Sequence, residues 1–262
     1  MDHFPVVLIC RDRLDCTRRL VGWFERHGFD TIVLLDNAST YAPLLEWYET
    51  SPHTVVRLRE NVGPYAPWST KYIEKNFRRQ WVIVSDPDVL PVDDCPDDAF
   101  DQIYRLMKRH PLTSKVGFSL RIDDIPGHNP GRDLILNCER HHLADDWRVG
   151  QHLYRAPVDT TLALYRPGGY FEIGGFRMAP PILARHLPWY DDPDALPEDV
   201  EYYLQHAAGN EANGGKWNPS APSAALLATT DWDAHDRVQR RNRLMRDRVR
   251  RAAKLRLAPY RR

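Results

Sequence analysis

The chain is poor in cysteine and has no long apolar run, and each shortage excludes a class of protein. Its four cysteines, Cys10, Cys16, Cys95 and Cys138, form no C-x-x-C pair. Their spacing suits neither a zinc ribbon nor a disulfide framework, so they read as reduced structural thiols. No apolar stretch approaches the roughly 18 residues needed to cross a bilayer. Met1-Asp2-His3-Phe4-Pro5 lacks the basic start and apolar core of a signal peptide. The expected location is cytoplasmic, where the Asn37-Ala38-Ser39 acceptor pattern for N-glycosylation goes unused. Also missing are a G-x-x-x-x-G-K-[ST] phosphate loop, a G-x-G-x-x-G after the first strand, a G-x-S-x-G elbow, an H-E-x-x-H pair and any internal repeat.

What the chain does have is length and core: 262 residues, 42% of them hydrophobic, enough for one large α/β domain. Formal charge is zero, with 36 basic and 36 acidic residues, but it is unevenly spread. Residues 236–262 hold 12 Lys/Arg against 2 Asp/Glu, so the tail is polybasic and the body acidic. The expected organisation is a domain over residues 1–209 with halves 1–95 and 96–209, a Gly/Pro/Asn-rich linker over 210–235, and a basic helical tail over 236–262.

The stretch Trp81-Val82-Ile83-Val84-Ser85-Asp86-Pro87-Asp88 organises the rest. A short β-branched apolar run that stops at two carboxylates reads as a buried strand of a parallel sheet. Ligands of open α/β folds bind beyond the carboxyl ends of such strands. Asp86 and Asp88, separated by Pro87, can address one hard cation, Mg²⁺ or Mn²⁺, together with a diphosphate. The competing reading is a solvated Asp-Pro turn. Asp192-Pro193-Asp194 and Asp231-Trp232-Asp233 repeat the spacing without a preceding strand.

Before it, Phe4–Cys10, Thr31–Leu35 and Thr54–Leu58 read as strands, with helices after the first two around Leu14–Phe24 and Leu44–Tyr48. After it come a helix over Asp97–His110, a strand over Lys115–Leu120, a Pro/Gly-punctuated loop over Arg121–Gly131, and a helix over Asp133–His142. A strand over Asp159–Tyr165, a Pro-bounded segment over Arg177–Tyr190 and a helix over Val200–Ala208 complete the body. The β-α alternation of the first half predicts a parallel sheet with helices on both faces. Its rim would collect Arg11, Asp12, Asp36, Asn61, Gly63, Asp86 and Asp88.

Three motifs together resemble the glycosyltransferases of the GT-A fold, close to family 2. They are Cys10-Arg11-Asp12-Arg13 after the first strand, Leu34-Leu35-Asp36-Asn37-Ala38-Ser39 ending the second, and Ser85-Asp86-Pro87-Asp88. Ala163-Leu164-Tyr165-Arg166 with Gly174-Gly175-Phe176 is similar to the family's acceptor-side segment. The resemblance covers about residues 4–190. It implies a nucleotide-diphosphate sugar donor, by family habit a UDP-sugar, and a glycan or lipid-linked acceptor. Base and ribose would meet Asp36 and the Arg11-Asp12 turn. Asp86 and Asp88 would hold Mn²⁺ or Mg²⁺ on the diphosphate, with Asp88 the direct ligand and Asp86 on metal or ribose. The cation would stabilise charge on the departing nucleoside diphosphate, while a carboxylate takes the acceptor's proton.

For that proton acceptor the family uses a Glu-Asp pair after the Gly-Gly-Phe segment. Here Glu198-Asp199 comes late and reads equally as the acidic first turn of a helix. Asp159 is preferred, with Asp124 second. His186 is the expected third metal ligand and Arg185 a bidentate diphosphate clamp, and either reads alternatively as surface or packing. Trp68, Trp189 and Tyr190 are candidates for sugar stacking or core.

Two other readings stay open. A sugar-phosphate nucleotidyltransferase shares the fold, although its Gly-rich opening loop is missing. Val238, Met245, Val249 and Ala252 fall on one face of an arginine-rich helix. That helix suits an anionic membrane surface, a nucleic acid, or the acidic body of the same or a neighbouring subunit.

Overall fold

The structure is a computed structural model that describes residues 4–207, apart from 112, 150, 159–161 and 170–173. The linker, the basic tail and Asp159 lie outside the described residues. The first elements are β1 (Val6–Cys10), α1 (Leu14–Arg26), β2 (Ile32–Asp36), α2 (Ala42–Thr50) and β3 (Thr54–Arg57). Next come α3 (Ala66–Ser69), α4 (Tyr72–Phe77), β4 (Val82–Ser85), β5 (Val89–Pro91) and α5 (Ala99–Arg109). They are followed by β6 (Lys115–Gly117), β7 (Ser119–Leu120), α6 (Arg132–His142), β8 (Arg148–Val149) and β9 (Leu153–Pro157). The last are β10 (Ala163–Tyr165), β11 (Gly174–Met178), β12 (Leu183–His186) and α7 (Glu198–Ala207).

β1 and β2 are buried along their whole length. Their alternate side chains enter opposite cores. Val6, Leu8 and Cys10 join a cluster with Leu20, Phe24, Leu44 and Ile103, on α1, α2 and α5. Val7 and Ile9 join another with Ala66, Ile73 and Phe77, on α3 and α4. Two apolar faces per strand explain why these strands are continuous apolar runs.

The large sheet has the order β3-β2-β1-β4-β10-β6-β11-β9-β8. β3, β2, β1 and β4 are mutually parallel, as expected for the first half. β10 then lies antiparallel between β4 and β6. The strand expected over 115–120 divides at Phe118: β6 stays in the large sheet, and β7 enters a second sheet of order β5-β12-β7. At the division a Cβ on Gly117 would lie 2.7 Å from Val158 Cγ1, so the chain crosses there only as glycine. β5 and β12 are too short and proline-bounded to stand out in the sequence.

β1 leads to β2 on one side while β4 lies on the other, so a topological switch point falls between β1 and β4. The loops leaving these two strands flank the crevice in which α/β folds bind ligands. The architecture is the expected α/β class, a mixed central sheet flanked by helices.

Candidate functional site

The rim is built first as a hydrogen-bonded frame. Asp12 and Ala38, in the turns after β1 and β2, have φ of 50° and 59°. The Asp12 carboxylate accepts from the amides of Thr40 (2.6 Å) and Tyr41 (2.9 Å), fastening the first turn to the start of α2. Asp36 is fully buried. Its carboxylate accepts from the Ser39 hydroxyl, the Ser39 amide (3.2 Å), the Tyr48 hydroxyl (3.2 Å) and Arg57 Nε (3.3 Å). Asn37 ties in the third turn, donating to Asn61 Oδ1 (2.6 Å) and the Gly63 carbonyl (3.0 Å) while accepting from the Val62 amide (2.9 Å). Arg11 Nη1 donates to the Asn37 carbonyl (3.3 Å). Thus Arg11, Asp12, Asp36, Asn61 and Gly63 do gather at one rim. Asp36, however, spends both oxygens on the protein itself, and Asp12 spends Oδ1 on the two amides while its Oδ2 lies 3.7 Å from Arg11 Nε.

The second part stands across the switch point. After Asp86-Pro87-Asp88 the chain continues into β5, which pairs antiparallel with β12 in the register His186↔Val89. That pairing brings His186 Nε2 to 3.8 Å from Asp88 Oδ2. Arg13 Nη1 is 3.7 Å from the same oxygen. Arg13 and His186 lie 173 positions apart in sequence and meet here at one carboxylate oxygen; Leu187 N donates to the Asp88 carbonyl at 2.8 Å to fix the crossing. Burial lowers the His186 pKa, with Asp88 opposing it only in part, so its imidazole is neutral at pH 7. Among the described residues, His186 Nδ1, Arg13 Nε and Ser85 Oγ are buried without a hydrogen-bond partner.

α7 closes this cluster from above. The Tyr203 ring lies 5.4 Å from the Arg13 guanidinium carbon. Burial, then the charge of Asp88, raises the Tyr203 pKa, and Asp86 adds to the same effect. Asp86 and Asp88 therefore bear on one tyrosine. Asp191 belongs here too: burial raises its pKa, Arg13 opposes the rise, and Asp88 and Asp199 add to it. Among the described residues no group of three His, Cys, Asp or Glu is arranged to hold a metal ion by itself.

Arg185 and Asp124 lie elsewhere. Neighbours on a strand face opposite ways, so Arg185 leaves the side on which His186 meets Asp88. Its Nε (2.9 Å) and Nη2 (2.6 Å) donate to Asp124 Oδ2, and the Tyr190 hydroxyl donates to Asp124 Oδ1 (2.6 Å). Burial would raise the Asp124 pKa, but Tyr190 and Arg185 outweigh it and hold the carboxyl below its usual range. Such a carboxylate is a weak proton acceptor. Because its folded pKa is lowered, its contribution to stability is present above about pH 4 and is lost as pH falls through the folded value. Tyr190→Phe is expected to raise the Asp124 pKa and shrink that acid-side loss, measured by NMR titration of the carboxyl carbon and by unfolding at pH 3 and 7.

Sequence reasoning did not select Arg13, Asp191 or Tyr203. Arg13 was within the motif after β1, and its place at the start of α1 was the available signal. Tyr203 acquires its position only when α7 folds back over the rim, and Asp191 lies in the irregular stretch between β12 and α7.

The fold is of the α/β class, with its candidate site at the rim where the parallel strands β1, β2 and β4 end. No family model matches the chain, and no curated protein matches it. Among solved structures it is similar to a 4-diphosphocytidyl-2C-methyl-D-erythritol synthase, at 14% identity over 64% of this chain and 77% of that one, with a TM-score of 0.35. It is also similar to HddC from Yersinia pseudotuberculosis, at 12% identity over 63% and 74% of the two chains, with a TM-score of 0.34. A third likeness is to a structure described as a glucose-1-phosphate thymidylyltransferase from Bacillus anthracis, at 8% identity over 86% and 83%, with a TM-score of 0.34.

Proposed function

We propose that this chain is a divalent-metal-dependent glycosyltransferase that moves a sugar from a nucleotide-diphosphate sugar, a UDP-sugar favoured, to the hydroxyl of a glycan or lipid-linked acceptor. The observation that carries this reading is the approach of Asp88 and His186, 3.8 Å apart, beside the switch point. A carboxylate oxygen and a neutral imidazole suit Mn²⁺ better than the harder Mg²⁺, which would rely on the carboxylate, phosphoryl oxygens and water. The donor set is incomplete alone, which fits a cation whose other ligands are phosphoryl oxygens and water. When bound, the ion would offset charge on the departing diphosphate. Asp88 and His186 would hold it, Asp86 would serve metal or ribose, and Arg13 would face the phosphates. Asp36 and Asp12 act here through the turns they fasten, presenting Arg11, Asn61 and Gly63 to the nucleoside. Asp159, outside the described residues, is the proposed proton acceptor. The basic tail is a proposed contact with an anionic membrane surface.

The test is a thermal-shift screen with UDP, GDP, CDP and TDP, each with and without Mn²⁺. One nucleotide is expected to raise Tm by roughly 5 °C at about a hundredfold excess over Kd, and only with metal. No shift with any of the four would overturn the reading. Arg13, a buried cation just after β1, also suits a nucleoside triphosphate, which favours nucleotidyl transfer as the second reading. Product analysis separates the two, since glycosyl transfer releases a nucleoside diphosphate and nucleotidyl transfer releases pyrophosphate.

A further inference from the structure

α1 begins with a buried cation and ends its N-terminal turn on a carboxylate borrowed from far along the chain. Its N-cap is Arg13, which supplies no side-chain cap. The amide of Asp15, in the first turn, donates instead to Asp199 Oδ2 at 2.9 Å. Asp199 is 5% exposed and belongs to the first turn of α7, 184 positions away. One turn further along α7, Tyr203 covers the guanidinium of Arg13. Arg13 is 5% exposed as a residue and keeps a buried Nε without a hydrogen-bond partner among the described residues. Its ion pair with Asp88, at 3.7 Å, is longer than a hydrogen bond.

A helix N-terminus flanked by a buried arginine is built for an anion, because free amides and the helix dipole both favour negative charge there. In this chain the anion present is part of the protein. Acidic charge is crowded around it: Asp88 and Asp199 both act on Asp191, and Arg13 is the cation that opposes them. The helix that brings it is also lightly held. Of the described α7 side chains only Asp199 and Val200 are buried, and Tyr202 adds a hydrogen bond to Thr40 Oγ1 (3.1 Å) and a ring contact with Tyr41 (5.0 Å).

We infer that the N-terminus of α1 and Arg13 form a phosphoryl-binding cradle, and that Asp199 is its internal occupant, displaced with α7 when a diphosphate group binds. The inference rests on reading the rim as a nucleotide-diphosphate site. The cradle would take phosphoryl oxygens on the α1 amides and the Arg13 fork, while α7 with Tyr203 swings off the guanidinium. Asp199 then acts as a competitor of the ligand, which is a different role from the proton acceptor that the Glu198-Asp199 pair would supply in family 2.

The experiment uses the full chain and two probes, inorganic pyrophosphate without metal and UDP with Mn²⁺, each titrated by calorimetry. Asp199→Asn removes the competing charge and is expected to tighten pyrophosphate binding roughly three- to tenfold. Arg13→Gln is expected to weaken it at least tenfold, and Arg13→Lys, which keeps the charge without the fork, to fall between them. If Arg13→Gln fails to fold, Arg13→Lys carries the comparison. Weaker or unchanged pyrophosphate binding in Asp199→Asn overturns the inference. Should pyrophosphate bind as expected while UDP with Mn²⁺ does not, the cradle stands and the transferase reading falls. Should UDP with Mn²⁺ bind and neither substitution alter either probe, the transferase reading stands and the cradle falls.

Discussion

Asp88→Ala is expected to remove the Mn²⁺-dependent stabilisation by nucleoside diphosphate and to lower sugar transfer by at least about a hundredfold, the scale of losing a group that stabilises charge on the leaving diphosphate. Asp88 is the residue on which the site converges, because His186 and Arg13 both approach its Oδ2. The same substitution has a second cost that needs no ligand. Arg13, 5% exposed, loses the carboxylate nearest its guanidinium and becomes a buried charge with too few partners. Breaking a buried ion pair costs roughly 3–5 kcal/mol. The 3.7 Å separation and the 17% exposure of the Asp88 side chain put this one lower, at about 2 kcal/mol. Adding Arg13→Met to Asp88→Ala removes the stranded charge and is expected to restore most of the stability in urea unfolding, but none of the metal-dependent binding. Full nucleotide binding with Mn²⁺ in Asp88→Ala would sink the metal role. A double variant no more stable than the single one would sink the account of Arg13.

The two halves of this rim differ in how far the sequence reveals them. The frame was legible because it is local to strand ends: an apolar run that stops at Asp36, or at Asp86-Pro87-Asp88, announces both the strand and the polar turn after it. Parallel order in β3-β2-β1-β4 followed from alternation with helices. The insertion of β10 beside β4 did not, since its three residues give no sign of direction. Nor did the sequence separate Arg185 from His186. As adjacent residues they read as one functional pair, and only the formation of β12 reveals that they face opposite ways, one to Asp124 and the other to Asp88. Arg13 was hidden for the converse reason. A charged residue in a loop reads as solvated, and its burial depends on α7 crossing the rim from 190 positions along the chain.

Asp36 tests whether a carboxylate at the rim acts by touching the ligand or by holding the turn that does. Asp36→Ala is expected to destabilise the protein by roughly 3–5 kcal/mol, because it strands the buried hydroxyls of Ser39 and Tyr48 and unpairs Arg57 beside them. Asp36→Asn keeps the shape and one acceptor oxygen, so the expected loss is smaller, about 1–2 kcal/mol. Tyr48→Phe removes a single donor to the same oxygen and should cost about 1 kcal/mol. Urea unfolding gives the three stabilities, and titration with the nucleotide found in the thermal-shift screen gives the affinities. If Asp36 anchors the turn, affinity falls in step with stability across all three variants, including Tyr48→Phe, whose hydroxyl lies behind the carboxylate. If Asp36 instead contacts the base or ribose, Asp36→Asn loses affinity out of proportion to its stability while Tyr48→Phe binds normally. The first pattern is expected: a carboxylate at 0% exposure with four internal donors has no lone pair left facing the crevice.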